Sequence, residues 1–286
     1  MSDKQLAAVI FDWAGTLVDF GSLAPTQIFV DAFATFGITV SLAQASGPMG
    51  LSKRHHSQSL LYLPEIQQQW QAKFGRSSSE ADIDQIYERF MPMQIAKVGE
   101  YSAPIPGAID TLAALRQRGL KIGSCSGYPR QVMEVVLPLA KAAGIVVDHA
   151  VAGDELPAGG RPGAYMALAN LLALAIPDVR RCVKVDDTRP GIEEGRNAGM
   201  WTVGLALSGA PAGLTPAAFT AASPTELEAI RQRVRGEHLA AGAHYVIDSV
   251  ADLLPVLDDI ERRLAAGERP RLCKNVNEFR LARSMQ

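Results

Sequence analysis

The chain has 286 residues, 48% of them hydrophobic and 20% charged, with a formal net charge of −2. That is the balance of a globular protein of one large or two ordinary domains, and it lacks the basic footprint that binding to nucleic acid or a membrane surface requires. Cys125, Cys182 and Cys273 lie too far apart for a metal cluster or a disulfide framework, and the first apolar run stops at Asp12 as no secretory leader does, so a reducing cytoplasm is the expected location.

In chain order, residues 7–11 read as a buried strand ending at Asp12. Helical patterns follow over 26–36, 48–61, 64–74 and 80–97, punctuated by Gly37, Gly47, Gly75 and the serines at 77–79. Strand and helix signals then alternate: helix 108–118, strand 121–125, helix 130–143, strand 149–152, helix 163–174, strand 182–185, helix 191–198 and strand 201–207. Residues 223–265 add helices around a short strand at 244–247. The apolar stretch 164–176 is too short to cross a bilayer and reads as a buried helix. The whole is a parallel α/β sheet interrupted after its first strand by a helical insertion.

Five segments carry chemistry-bearing side chains. Asp12, at the end of an apolar strand and before Gly15, arrives where open α/β sheets bind ligands, although a plain turn aspartate gives the same pattern. Ser124-Cys125-Ser126-Gly127 ends a second strand in small residues whose N–H groups suit a phosphate at the start of the next helix. Arg161, before Pro162, places a cation at an expected helix start, where the dipole opposes it; a surface arginine in a glycine-rich loop is the plainer reading. Asp186 and Asp187 end a third strand and complete with Asp12 an all-oxygen set suited to Mg²⁺. In Pro48–His56 the helical spacing puts Met49, Lys53 and His56 on one face, which by pattern alone is an ordinary amphipathic helix.

Taken in this order, the segments resemble the motifs of the haloacid dehalogenase-like hydrolases. The resemblance implies an α/β fold, a Rossmann-like parallel sheet core with a helical cap inserted after strand 1. The core would comprise residues 1–20 and 100–270, the cap 21–99, and a solvated tail 271–286. It implies Asp12 as the nucleophile toward phosphorus and Ser126 and the Gly127 N–H as phosphate ligands. Arg161 would grip phosphate oxygens in a planar fork, and Asp12, Asp187 and the backbone oxygen of Ala14 would hold Mg²⁺. Two positions depart from the pattern. Ala14 stands where an aspartate handles the leaving group's proton. The later acid falls at Gly191, while Asp186 replaces a glycine and is the nearest substitute carboxylate.

Phe11–Thr16, Pro48–His56 and the stretch 194–204 resemble one branch of that superfamily, the phosphonatases, and the similarity runs to about residue 260. It implies that Lys53 forms a Schiff base with phosphonoacetaldehyde, which is split to acetaldehyde and phosphate during breakdown of 2-aminoethylphosphonate, in a homodimer touching through its caps. The chemistry fits the residues. A carbanion is too unstable to leave phosphorus, whereas an iminium next to the leaving carbon takes the electron pair as an enamine. No alkoxide forms, so Ala14 is no defect. Lys53 has to be neutral to attack, and closure over an apolar face beside Met49 lowers its pKa. His56 is placed to shuttle protons, and Tyr128 to orient substrate or water, with simple packing nearly as good a reading for the tyrosine. The rival readings are a phosphatase, mutase or dehalogenase of the same scaffold, and a non-catalytic phosphate-binding module.

Overall fold

Four apolar residues, Ala8–Phe11 (β1), form a strand with no exposed face, and it lies at the centre of the sheet. In the computed structural model, which describes residues 5–270, five more strands follow: Lys121–Cys125 (β2), His149–Val151 (β3), Cys182–Asp186 (β4), Trp201–Leu205 (β5) and Tyr245–Ile247 (β6). The expected tail 271–286 and Cys273 lie outside these residues. All pairings are parallel, in the order β3-β2-β1-β4-β5-β6. The chain therefore winds outward from β1 in one direction and, from β4, in the other, which opens a crevice at the carboxyl ends of β1 and β4. Phe11 is level with Ser124 on one side and Val185 on the other. One residue further on, Asp12 emerges beside Cys125 and Asp186.

The insertion after β1 holds five α-helices: Leu23–Thr35 (α1), Leu42–Ser46 (α2), Lys53–Leu61 (α3), Pro64–Phe74 (α4) and Glu80–Lys97 (α5). Their inward side chains, among them Phe29, Phe33, Trp70, Ile86 and Phe90, are fully buried and continue the apolar core that covers one face of the sheet. The chain leaves the sheet edge and returns at adjoining points, since Ile105 N–H donates to Leu17 O and Asp19 N–H to Ala103 O. Helices Ala108–Gln117 (α6), Arg130–Ala142 (α7), Tyr165–Ala173 (α8), Arg189–Ala198 (α9), Pro216–Ala221 (α10), Pro224–Ala241 (α11) and Leu253–Ala265 (α12) complete the chain.

The parallel sheet and its flanking helices agree with the sequence reading, with three local differences. The single helix expected over 48–61 is broken: Gly50 turns left-handed at φ +92°, and α3 starts only at Lys53, after the N-cap residue Ser52. Two short helices, α2 and α10, were not expected; Ser41 and Gln44 cap the first reciprocally and Thr215 caps the second. The stretch 164–176 is not buried all round. Met166, Ala167, Asn170 and Leu171 face inward on α8, but Leu172 is 84% exposed and Tyr165 48%. Among the described residues no helix is long and apolar enough to cross a membrane.

Candidate active site

The backbone beyond β1 is tied down immediately. Asp12 N–H donates to Val185 O, and the N–H groups of Thr16, Leu17 and Val18 all donate to Trp13 O, which folds residues 13–18 into a tight turn. Gly15 in that turn has φ +81°, and a Cβ there would lie 2.4 Å from Asp187 Oδ2, so only glycine lets Asp187 approach the turn. Asp12, Asp186 and Asp187 consequently offer carboxylate oxygens within 4.8 Å of one another, all buried.

These three carboxylates differ. Asp186 has both oxygens engaged: Oδ1 accepts from Thr188 N–H and Oγ1–H, and Oδ2 from Lys184 Nζ at 2.6 Å. Burial alone would raise its pKa, but the charges of Arg161 and Lys184 outweigh that and hold it below the usual carboxylate range. Asp187 Oδ2 accepts from Ala210 N–H, whereas Oδ1 is buried without a partner. Burial, then the neighbouring Asp12 and Asp186, push the Asp187 carboxyl well above its ordinary value, and burial and Asp186 raise Asp12 against the pull of Arg161 and Lys184. A divalent cation would relieve this repulsion and satisfy the orphaned oxygen. The donor set fits one: Asp12, Asp187 Oδ1 and the Ala14 carbonyl are hard oxygens, and that carbonyl accepts no hydrogen bond from the described residues. Asp186, its oxygens engaged by Thr188 and Lys184, has the least capacity of the three left for a cation.

Arg161 is 5% exposed and not a surface arginine. Nor does it stand at a helix start, because α8 begins at Tyr165. Its Nε donates to Glu194 Oε2 at 3.0 Å, and its Nη2 to Asp12 Oδ1 at 2.7 Å and Cys125 O at 2.9 Å. The expected free fork is therefore largely committed, leaving Nη1 for a ligand. Beside it, Ser126 Oγ accepts from Tyr128 N–H, while the Gly127 N–H donates to no described residue. The N–H left without a described partner thus belongs to this loop and not to the terminus of α7, whose Arg130 N–H is taken by Asp154.

Lys53 comes from the insertion. It is 4% exposed, with Nζ 4.0 Å from Met49 Sδ and over the rings of Tyr128 (5.0 Å) and Phe29 (5.8 Å). Met49 reaches it from the turn before α3, and not as a helical neighbour. Burial pushes the Lys53 ammonium down to about 7, against the attraction of Asp12, its strongest charged neighbour. Tyr128 OH is buried without a partner, and burial raises its pKa well above 10.0.

Asp12, Ala14, Met49, Lys53, Ser126, Gly127, Tyr128 and Arg161 all line one narrow cavity between the insertion and the sheet edge. His56 does not line it. Its ring stacks on Phe29 at 3.9 Å, and Nε2 is 2.8 Å from Ala45 O. A carbonyl only accepts, so Nε2 carries the proton and Nδ1 is bare. Burial lowers its pKa well below 6.5, leaving it neutral. Ser22, Pro25, Gly50 and Thr188 also line the cavity, unforeseen by sequence reasoning. Gly50 lies within the Pro48–His56 segment and Thr188 directly follows Asp187, so both neighboured the motifs, whereas Ser22 and Pro25 carried no signal.

Residues 6–199 match the family model of haloacid dehalogenase-like hydrolases. Phosphonoacetaldehyde hydrolase of Klebsiella pneumoniae is 58% identical over 268 residues, 93% of this chain and 100% of that one. The chain belongs to the phosphonoacetaldehyde hydrolase family of the haloacid dehalogenase-like hydrolases. The enzyme of the same name from Bordetella pertussis is also 58% identical, over 93% of this chain and 96% of its own. A crystal structure of a phosphonoacetaldehyde hydrolase-like protein from Oleispira antarctica superposes with a TM-score of 0.91 at 43% identity, covering 93% of this chain and 96% of the other. A β-phosphoglucomutase from Clostridium difficile, at 16% identity and TM-score 0.66, shares the fold. The members named at 58% identity span essentially the whole chain, insertion included.

Proposed function

We propose that this chain hydrolyses phosphonoacetaldehyde to acetaldehyde and phosphate. The observation that carries the reading is Lys53: a buried amine near neutrality, in the same cavity as Asp12 and Arg161, with alanine at position 14. Lys53 attacks the aldehyde carbon and water departs, giving a protonated imine. Asp12 attacks phosphorus as the C–P bond breaks, and the bonding pair moves into the iminium to form an enamine. Protonation at carbon and addition of water release acetaldehyde and regenerate Lys53. A second water hydrolyses the aspartyl phosphate, which frees phosphate and Asp12. The sum is one water consumed.

Arg161 Nη1, the Gly127 N–H and Ser126 surround the place the phosphonate would take. Mg²⁺ held by Asp12, Asp187 and the Ala14 carbonyl would neutralise phosphoryl charge in the approach of one anion to another. Met49 and the Tyr128 and Phe29 rings keep the amine desolvated, and the buried Tyr128 OH has its hydrogen-bonding capacity unused. His56 would act on protons only through Nδ1. Adjoining entry and exit segments support reading 21–99 as a cap on a core of 1–20 and 100–270. A cytoplasmic location is in keeping with two free, buried cysteines, Cys125 and Cys182. A place in 2-aminoethylphosphonate breakdown and a homodimer touching through the caps belong to the same proposal; sedimentation reads the latter.

The test is product release. With Mg²⁺, phosphonoacetaldehyde should yield phosphate and acetaldehyde in equal amounts. A sugar phosphate should turn over at least ~10²-fold more slowly, because no carboxylate at position 14 protonates its oxygen leaving group. Equal rates on both substrates would overturn the reading.

A further inference from the structure

Resting on the reading of Asp12 as nucleophile, we propose that Lys184, Asp186 and Glu194 are positioning residues for phosphoryl transfer. With Arg161 they close a buried ring of alternating charge that holds the guanidinium against Asp12. Lys184 Nζ lies 2.6 Å from Asp186 Oδ2 and 3.4 Å from Glu194 Oε2. The same two oxygens serve Arg161: Nη2 is 3.1 Å from Asp186 Oδ2, and Nε is 3.0 Å from Glu194 Oε2. All four side chains are at most 1% exposed. Two cations and two anions thus share two oxygens with no net charge. Such a ring is a poor device for stability, since apolar side chains of similar volume would serve as well or better. What it does supply is a fixed orientation. Arg161 is held from behind at Nε, Nη2 is left directed at Asp12 Oδ1 and Cys125 O, and Nη1 stays available.

The unit is built where α9 lies on β4, and the glycines of α9 make the room. A Cβ on Gly191 would fall 1.9 Å from Asp186 Oδ2 and 2.0 Å from its Cγ; one on Gly195 would fall 2.5 Å from Lys184 Cβ. Asp186 therefore fills the space that a side chain at 191 would need. The two departures noted in the sequence, an acid at 186 and none at 191, are one structural event. Lys184-x-Asp186, Gly191 and Glu194-Gly195 form a single signature.

The experiment uses the full chain with Mg²⁺ and phosphonoacetaldehyde, comparing Lys184→Met, Glu194→Gln and the double variant. Each single substitution leaves an unbalanced buried charge beside Arg161 and so shifts its hold on Asp12, and kcat should fall ~10²-fold or more. The borohydride-trapped adduct with substrate should still form at the wild-type extent, because the insertion is untouched. The double variant restores charge balance and should exceed the worse single by about tenfold in kcat. Where a single variant does not fold, recovery in the double is read as thermal stability. Wild-type kcat in Lys184→Met, or a double no better than its worse single in both measures, overturns the proposal.

A second arm does not depend on activity. Gly191→Ala should lower Tm by roughly 3–10 °C in the wild-type background and leave it unchanged in Asp186→Gly. An equal loss in both backgrounds contradicts the ring. If the wild-type enzyme releases no phosphate, the functional reading falls, and the Tm comparison still decides the ring.

Discussion

At pH 7 an unperturbed lysine, with a pKa of ~10.4, is neutral in roughly one molecule in 2,500. Lys53, brought by burial to about 7, is neutral in about half. Only a neutral amine attacks a carbonyl, so on the proposed role of Lys53 kcat/KM should fall about tenfold per pH unit below pH 7, and a profile flat to pH 5 would contradict the assignment. Asp187 Oδ1 makes a second prediction at this scale. Chelation should abolish turnover and Mg²⁺ restore it, while Asp187→Asn should cost at least ~10²-fold in kcat; full activity in metal-free buffer would remove the metal from the account. Most of these side chains were legible in the sequence, because each ends a strand or opens a loop at a recognisable motif. Two roles were not. Lys184 looks like one polar residue in a short strand, and Glu194 like one acid on a surface helix; only the packing of α9 against β4 puts both beneath Arg161.

Among the elements, α4 and α5 were legible to the residue because their ends carry chemistry. Pro64 opens α4, a left-handed Gly75 closes it, and Ser79 with Asp82 opens α5. The Asp82 carboxylate accepts from Ser79 N–H and Oγ–H and from the Arg76 guanidinium, and these hydrogen bonds hold its pKa down at about 2. Asp82→Ala should cost ~1–2 kcal/mol of stability, read as a lower denaturant midpoint with kcat little changed; an unaltered midpoint would show that α5 is held by packing alone. The helix expected over 48–61 failed for a complementary reason. Met49, Lys53 and His56 keep helical spacing on paper, but Gly50 leaves the helical region, and its turn brings Met49 to Lys53 by another route. The exposed face of α8 was hidden because an apolar composition does not say which side packs.

For the molecule as a whole, the parallel sheet was legible from alternating strand and helix signals, and its carboxyl edge gathers motifs spaced over 175 residues, from Asp12 to Asp187. What periodicity does not contain is the meeting of insertion and sheet. Lys53 is delivered over Asp12 by a loop whose approach depends on backbone proximity: a Cβ on Gly127 would lie 2.7 Å from Leu51 O, and one on Gly50 2.3 Å from Thr188 Oγ1. The proposed Schiff-base chemistry depends on that meeting, and trapping the imine tests it directly. Borohydride added with phosphonoacetaldehyde should inactivate the enzyme irreversibly, peptide mass mapping should place a reduced secondary amine on Lys53, and Lys53→Arg, charged but without the nucleophile, should neither trap nor turn over. A substrate-dependent adduct on another lysine, or near-normal turnover by Lys53→Arg, would contradict it.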